Sequence, residues 1–72
     1  METKTQCDIE LELANARAKH PHFAYNQFDA IPVIGEEFGE LCKAINEKNF
    51  EHAKIEALHV IATCIRFIEE LP

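Results

Sequence analysis

Seventy-two residues allow one domain at most. Thirteen acids against seven bases, a net charge of −6, exclude a basic face of the kind that grips a nucleic-acid backbone. No apolar run is long enough to span a bilayer and no secretory leader is visible, so a cytoplasmic chain that touches neither membrane nor nucleic-acid polymer is expected.

Met1 to Lys4 is polar and expected to fray. Thr5-Gln6-Cys7-Asp8 offers a cap for helix 1, predicted over about residues 7–19. Ile9, Leu13 and Ala16 form its helical stripe. Ile9 to Leu13 also alternates like a strand, but length and Ala14, Ala16 and Ala18 favour helix. His20-Pro21-His22 stops it, because the residue before a proline is pushed out of the α region. Phe23 to Gln27 reads as a loop. Lys19, His20 and His22 cluster at this corner, either as ordinary surface or as a segment in which Lys19 and His22 touch the phosphates or base of a substrate.

Helix 2 is predicted over about residues 29–47, with Asp29 as N-cap and Pro32 in the first turn, where proline is tolerated. Ile34, Phe38, Leu41 and Ile45 centre its apolar face, and Val33, Glu37, Glu40 and Ala44 form the neighbouring stripe. Glu36 points further toward solvent. Gly39 sits mid-helix at a cost of up to about 1 kcal/mol relative to alanine, which close approach of a helix or ligand would explain. Asn46 to Asn49 is the turn. Asn49 caps helix 3, predicted over about residues 50–70, with Glu51 in its first turn. Ile55, Leu58, Ile61, Ala62, Ile65 and Ile68 make a broad apolar face, and Val60 and Phe67 a second. Glu56, His59, Thr63, Arg66 and Glu70 fall between as a polar seam. A helix apolar on two sides is packed on two sides, so the seam is expected to line a groove. Cys7, Cys42 and Cys64 are odd in number and form no CxxC, and Cys42 and Cys64 are expected as reduced, buried thiols.

The chain is 47% hydrophobic, yet one this short buries only about 60% of its unfolded surface, so helices of several copies are expected to share a core. The fold class is therefore all-α: a single three-helix domain that completes a bundle by oligomerisation.

Helices 2 and 3 form a hairpin in which residues whose numbers sum to about 96 lie level, both helices rising about 1.5 Å per residue. Glu40 then falls opposite Glu56, and Glu37 opposite His59. Within each helix the two are spaced i, i+3 and share a face. Four metal-type ligands can thus meet at one height. Glu37 interrupts an apolar arc, where an unpaired carboxylate costs several kcal/mol. Its partner is either a structural network with Lys43, Lys54 or Arg66, or a cation that holds several acids together. His59 can bind a metal, donate to a phosphate, or hydrogen-bond a carboxylate in the seam. Arg66 can pair with Glu70 one turn away or face a substrate phosphate.

Glu36-Glu37-Phe38-Gly39-Glu40 followed by Glu56-Ala57-Leu58-His59 resembles the EExxE…ExxD motif of the MazG-like, all-α nucleoside triphosphate pyrophosphohydrolases, over Ala30 to Glu70. His20 to Phe23 and Ile65-Arg66-Phe67 are similar to segments of the short phage and mobile-element members. The resemblance implies a homo-oligomer, dimer or tetramer, that hydrolyses a nucleoside triphosphate to the monophosphate and pyrophosphate. It implies Mg²⁺ held by Glu37, Glu40 and Glu56, with His59 where the family has its last aspartate. Glu36 matches the leading glutamate, a candidate for a second ion or for orienting water, and Glu36 and Glu37 stand as the catalytic residues. Metal mediation suits an acidic protein that meets a triphosphate, and the ion would polarise the α-phosphate. The histidine departs from the pattern and favours Mn²⁺ or another transition metal. Two alternatives follow: a silent MazG-like subunit that binds nucleotide or protein, and a di-iron or di-manganese carboxylate bundle, whose ligand set includes Glu-x-x-His.

Overall fold

A computed structural model describes residues 3–72 as three helices, α1 (Lys4–Lys19), α2 (Ala30–Asn46) and α3 (Phe50–Glu70), with no strand among the described residues. The all-α expectation is met. The ambiguous stretch Ile9 to Leu13 is helical; of Met1 to Lys4, expected to fray, Thr3 and Lys4 instead form the cap and first residue of α1, and Met1 and Glu2 lie outside the described residues.

Each helix end has a local cause. α1 starts earlier than predicted because Thr3 and Gln6 form a capping box. The Gln6 amide N–H donates to Thr3 Oγ1 at 3.1 Å, and the Thr3 N–H donates to Gln6 Oε1 at 2.7 Å. The Thr5 to Asp8 cap is thus replaced by one upstream, and Asp8 pairs with Lys4 at 2.8 Å. Asp29 occupies the N-cap position of α2, but its side chain caps nothing; its own N–H is received by Asn26 Oδ1 at 3.0 Å. Asn49 caps α3 as expected, accepting from the His52 N–H at 3.3 Å.

The turn between α2 and α3 sets the register of everything beyond it. The Asn49 N–H reaches back to the Ala44 carbonyl at 3.0 Å and the Lys48 N–H to the Ile45 carbonyl at 2.9 Å. Lys48 stands at φ 59°, in the left-handed region. These bonds make a Schellman motif with lysine where glycine is the usual occupant. Asn49 ends one helix and caps the next, so the hairpin closes with no slack.

α3 is the spine. α1 and α2 each pack on it rather than on each other. The result is a flat body, 35 × 32 × 19 Å, in which no large side chain is fully enclosed. The buried apolar residues are Ala30, Ala44, Ala53 and Ala62. Alanine–alanine contact lets α2 and α3 approach closely, and the facing edge of α2 is the Val33–Glu37–Ala44 stripe. Phe38 and Ile45, read from sequence as the centre of the buried face, are 56% and 49% exposed. Leu11, Ile55, Ile61 and Ile68 are exposed as well. Cys7, Cys42 and Cys64 form no disulfide among the described residues and all three are exposed, which corrects the expectation that Cys42 and Cys64 are buried. A single layer of helices has too little interior to cover them. Gly39 faces open space, so no close approach within the chain accounts for it.

α1 is tied to α3 by charge as much as by packing. Arg17 pairs with Glu69 at 2.6 Å and Glu70 at 3.0 Å. Arg66, only 4% exposed, donates to both Glu70 oxygens at 2.9 and 3.0 Å. It also donates to the Ala16 carbonyl at 3.3 Å and the Pro21 carbonyl at 3.4 Å, and lies 5.2 Å over the Phe23 ring. It therefore clamps α3, the end of α1 and the following loop at one point. The Gln27 side chain closes the same region by donating to the Pro72 carbonyl.

Two outcomes are expected. Lys48→Gly relieves the left-handed strain and stabilises the chain by roughly 0.5–1 kcal/mol in urea titration, less any gain in unfolded-state freedom. Arg66→Met destabilises by about 2–3 kcal/mol, below the fully buried figure because Glu70 reaches solvent. The hydrogen bond from Arg66 holds the Glu70 carboxyl below its ordinary value. Its contribution is therefore fully present above the ordinary carboxylate range and is lost as pH falls through the depressed value. In the Arg66→Met variant that acid-side loss shrinks.

Candidate metal centre

α2 and α3 bring Glu37, Glu40, Glu56 and His59 together, with one ligand atom from each lying within 4.8 Å of all the others. The register follows from the Lys48 turn: Glu40 meets Glu56, and Glu37 meets His59. His59 Nδ1 stands 3.5 Å from Glu56 Oε1 and 3.7 Å from Glu37 Oε2. Ligand atoms on one divalent ion with bonds of about 2.1 Å stand roughly 3 Å apart, so these spacings need only modest contraction to enclose one.

The electrostatics point the same way. Glu56 is 5% exposed, and among the described residues neither its Oε2 nor the buried Oε2 of Glu37 has a hydrogen-bond partner. Burial first, then the neighbouring Glu40, pushes the Glu37 carboxyl above its ordinary value. Glu40 is pushed up chiefly by hydrogen bonding with the Glu56 carboxyl, then by loss of water. Carboxylates crowded this way hold protons or a cation. Among the described residues no lysine or arginine forms an ion pair with Glu37, Glu40 or Glu56, so the network with Lys43, Lys54 or Arg66 does not occur. Acid oxygens plus one imidazole nitrogen fit a divalent ion.

Beside the centre runs a groove of about 640 Å³, within the range of roughly 300–1,000 Å³ usual for small-molecule sites. α3 contributes His59, Ala62, Thr63 and Arg66, so the middle of the predicted polar seam lines the groove, while Glu56 lines a separate, smaller cavity with Glu40 and His52 and Glu70 lines neither. α2 contributes Val33, Glu36 and Glu37, and the opposite wall carries Lys19, His20, His22 and Phe23. His22 is braced by the Tyr25 ring at 4.5 Å. Glu36 is exposed on the wall. Arg66 lines the groove too, but its bonds run to Glu70, Ala16 and Pro21 within the chain.

Two further residues reach the centre. His52 Nε2 stands 3.5 Å from Glu56 Oε1, one turn before it on α3. The signal was present in the sequence, since His52, Glu56 and His59 recur at i, i+4, i+7 on one helix face. Glu12 Oε1 stands 3.4 Å from His59 Nε2. It comes from α1, and no local pattern announces how α1 docks.

Comparison of the chain with protein-family models, with characterised proteins and with solved structures finds no match.

A divalent cation is expected to raise the thermal midpoint. Glu56→Gln removes that gain while leaving the metal-free protein as stable as before or more so, because it takes one charge out of a crowded buried site. Scanning fluorimetry with and without Mn²⁺ or Mg²⁺ reads both halves. A variant that loses metal-free stability but keeps the full metal-dependent gain would contradict the assignment of Glu56.

Proposed function

We propose that this chain is a divalent-metal-dependent nucleoside triphosphate pyrophosphohydrolase of MazG-like type that works as a homo-oligomer. The observation that carries the reading is the four-donor cluster, with buried, unpartnered carboxylate oxygens, at the edge of a groove whose far wall bears Lys19, His20 and His22.

Each residue has a task set by its place. Glu37, Glu40, Glu56 and His59 would hold Mg²⁺ or Mn²⁺ and offset its charge. When bound, the ion supplies Lewis-acid polarisation of a phosphate and neutralises charge that the acidic chain would otherwise repel. Glu36 and Glu37, on the wall beside the cluster, orient a water molecule toward that phosphate and accept its proton. Lys19 and His22 face them across the groove and receive the outer phosphates or the base. Arg66 keeps the α1 wall at its distance from α3, so its contribution to substrate is through groove shape. The exposed Phe38 and Ile45 of α2 and Ile55, Ile61 and Ile68 of α3, on a body with an alanine core, support burial against further copies as a dimer or tetramer.

Incubation with a panel of nucleoside triphosphates and Mg²⁺ or Mn²⁺ is expected to release pyrophosphate. Glu40→Gln is expected to reduce the rate by at least about 100-fold, in line with loss of a metal ligand. Calorimetric nucleotide binding with no turnover under any metal would replace this reading with that of a silent binding subunit. One observation favours a second reading, a transition-metal carboxylate centre: His52 joins His59 at the same Glu56 oxygen, giving a donor set able to share Glu56 between two ions. About two tightly held iron or manganese ions per pair of chains, without pyrophosphate release, would decide for it.

A further inference from the structure

Glu12 stands on α1, outside the two helices that supply the metal-type donors, and the function proposed above leaves it idle. Its Oε1 lies 3.4 Å from His59 Nε2. The other nitrogen of the ring, Nδ1, lies toward Glu56 Oε1 and Glu37 Oε2 at 3.5 and 3.7 Å. The two nitrogens of an imidazole point away from each other across the ring. A neutral ring carries one N–H and one lone pair, and an ionised carboxylate can only accept. Carboxylates face both nitrogens, so the ring's proton is placed by what lies between the acids: an ion there takes the Nδ1 lone pair, and the N–H then stands at Nε2, toward Glu12. Glu56, 95% buried by its 5% exposure and with Oε2 unpartnered, is aimed into the same space, so the arrangement does not rest on clustered acids alone.

We infer that Glu12 is the positioning residue of His59: it holds the ring's orientation and receives the Nε2 N–H when Nδ1 ligates a divalent ion that accepts imidazole, and it thereby biases the centre toward transition metals over Mg²⁺. The inference rests on the metal-centre reading. It predicts a selective effect. A carboxylate that merely added negative charge near the site would strengthen binding of every divalent ion. A carboxylate that acts through His59 matters for ions that take nitrogen and hardly matters for Mg²⁺, which prefers oxygen. Loss of such an outer partner costs about 10–100-fold in metal affinity.

The test titrates the full-length metal-free protein with Co²⁺, read by its visible absorption, and with Mg²⁺, read by calorimetry. Glu12→Ala is expected to weaken Co²⁺ binding about 10–100-fold and to leave Mg²⁺ binding within about twofold. Glu12→Gln keeps an acceptor oxygen at Nε2 and is expected to recover most of the Co²⁺ affinity. In a His59→Ala background, Glu12→Ala is expected to have no further effect on Co²⁺. Equal weakening of both ions, or an undiminished loss in the His59→Ala background, would overturn the positioning role. Co²⁺ binding that is unchanged in Glu12→Ala would do the same. Absence of any Co²⁺ or Mg²⁺ binding by the unsubstituted protein would overturn the metal centre itself, an outcome distinct from the others.

Discussion

A carboxylate removed from water needs a donor, a proton or a cation, and Glu56 is the residue on which that demand falls hardest. It is buried on the face of α3 that meets α2, with Glu40 and Glu37 beside it and, among the described residues, only the imidazoles of His52 and His59 within ion-pair reach. Hydrophobic packing does not place it there; the surrounding buried apolar residues are alanines, which contribute little driving force and much proximity. The helices approach closely and bring acids with them. That is a poor way to stabilise an isolated chain and a good way to prepare a cation site.

The rest of the architecture serves this convergence. The Schellman turn at Lys48 sets the register in which Glu37 and Glu40 of α2 meet Glu56 and His59 of α3. α1 docks on the other side of the same spine, held by Arg17 and Arg66. Because α1 and α2 pack on α3 and not on each other, a groove is left between them, lined on α3 by His59, Thr63 and Arg66. The flat shape that opens the groove also leaves Phe38, Ile45, Ile55 and Ile68 uncovered.

Much of this was legible in the residues. Three helices, the proline stop after α1, the Asn49 cap and the Asn46 to Asn49 turn follow from local chemistry, which acts within a few positions. The pairing of Glu40 with Glu56 and Glu37 with His59 was legible too, since a tight hairpin leaves only one register. What failed was long-range. The buried edge of α2 is the stripe of Val33 and Ala44 rather than that of Phe38 and Ile45, because helix approach here is set by small residues and not by the most apolar ones. The exposed thiols of Cys42 and Cys64 follow from the same rotation and thin core. Arg66 was read as facing either Glu70 or a phosphate; its additional bonds to the Ala16 and Pro21 carbonyls depend on where α1 lies, which no periodicity encodes. Glu12 escaped notice for the same reason.

Every functional statement depends on one cation lying among donors from α2 and α3. Crystals grown with Mn²⁺ and measured at wavelengths on either side of the manganese absorption edge test this most directly. The account predicts a single strong anomalous peak per chain bounded by Glu37, Glu40, Glu56 and His59, with ligand bonds of about 2.0–2.3 Å. Saturating Mn²⁺ with no peak at that position, and with the carboxyl of Glu56 hydrogen-bonded to protein or turned to water, would contradict it.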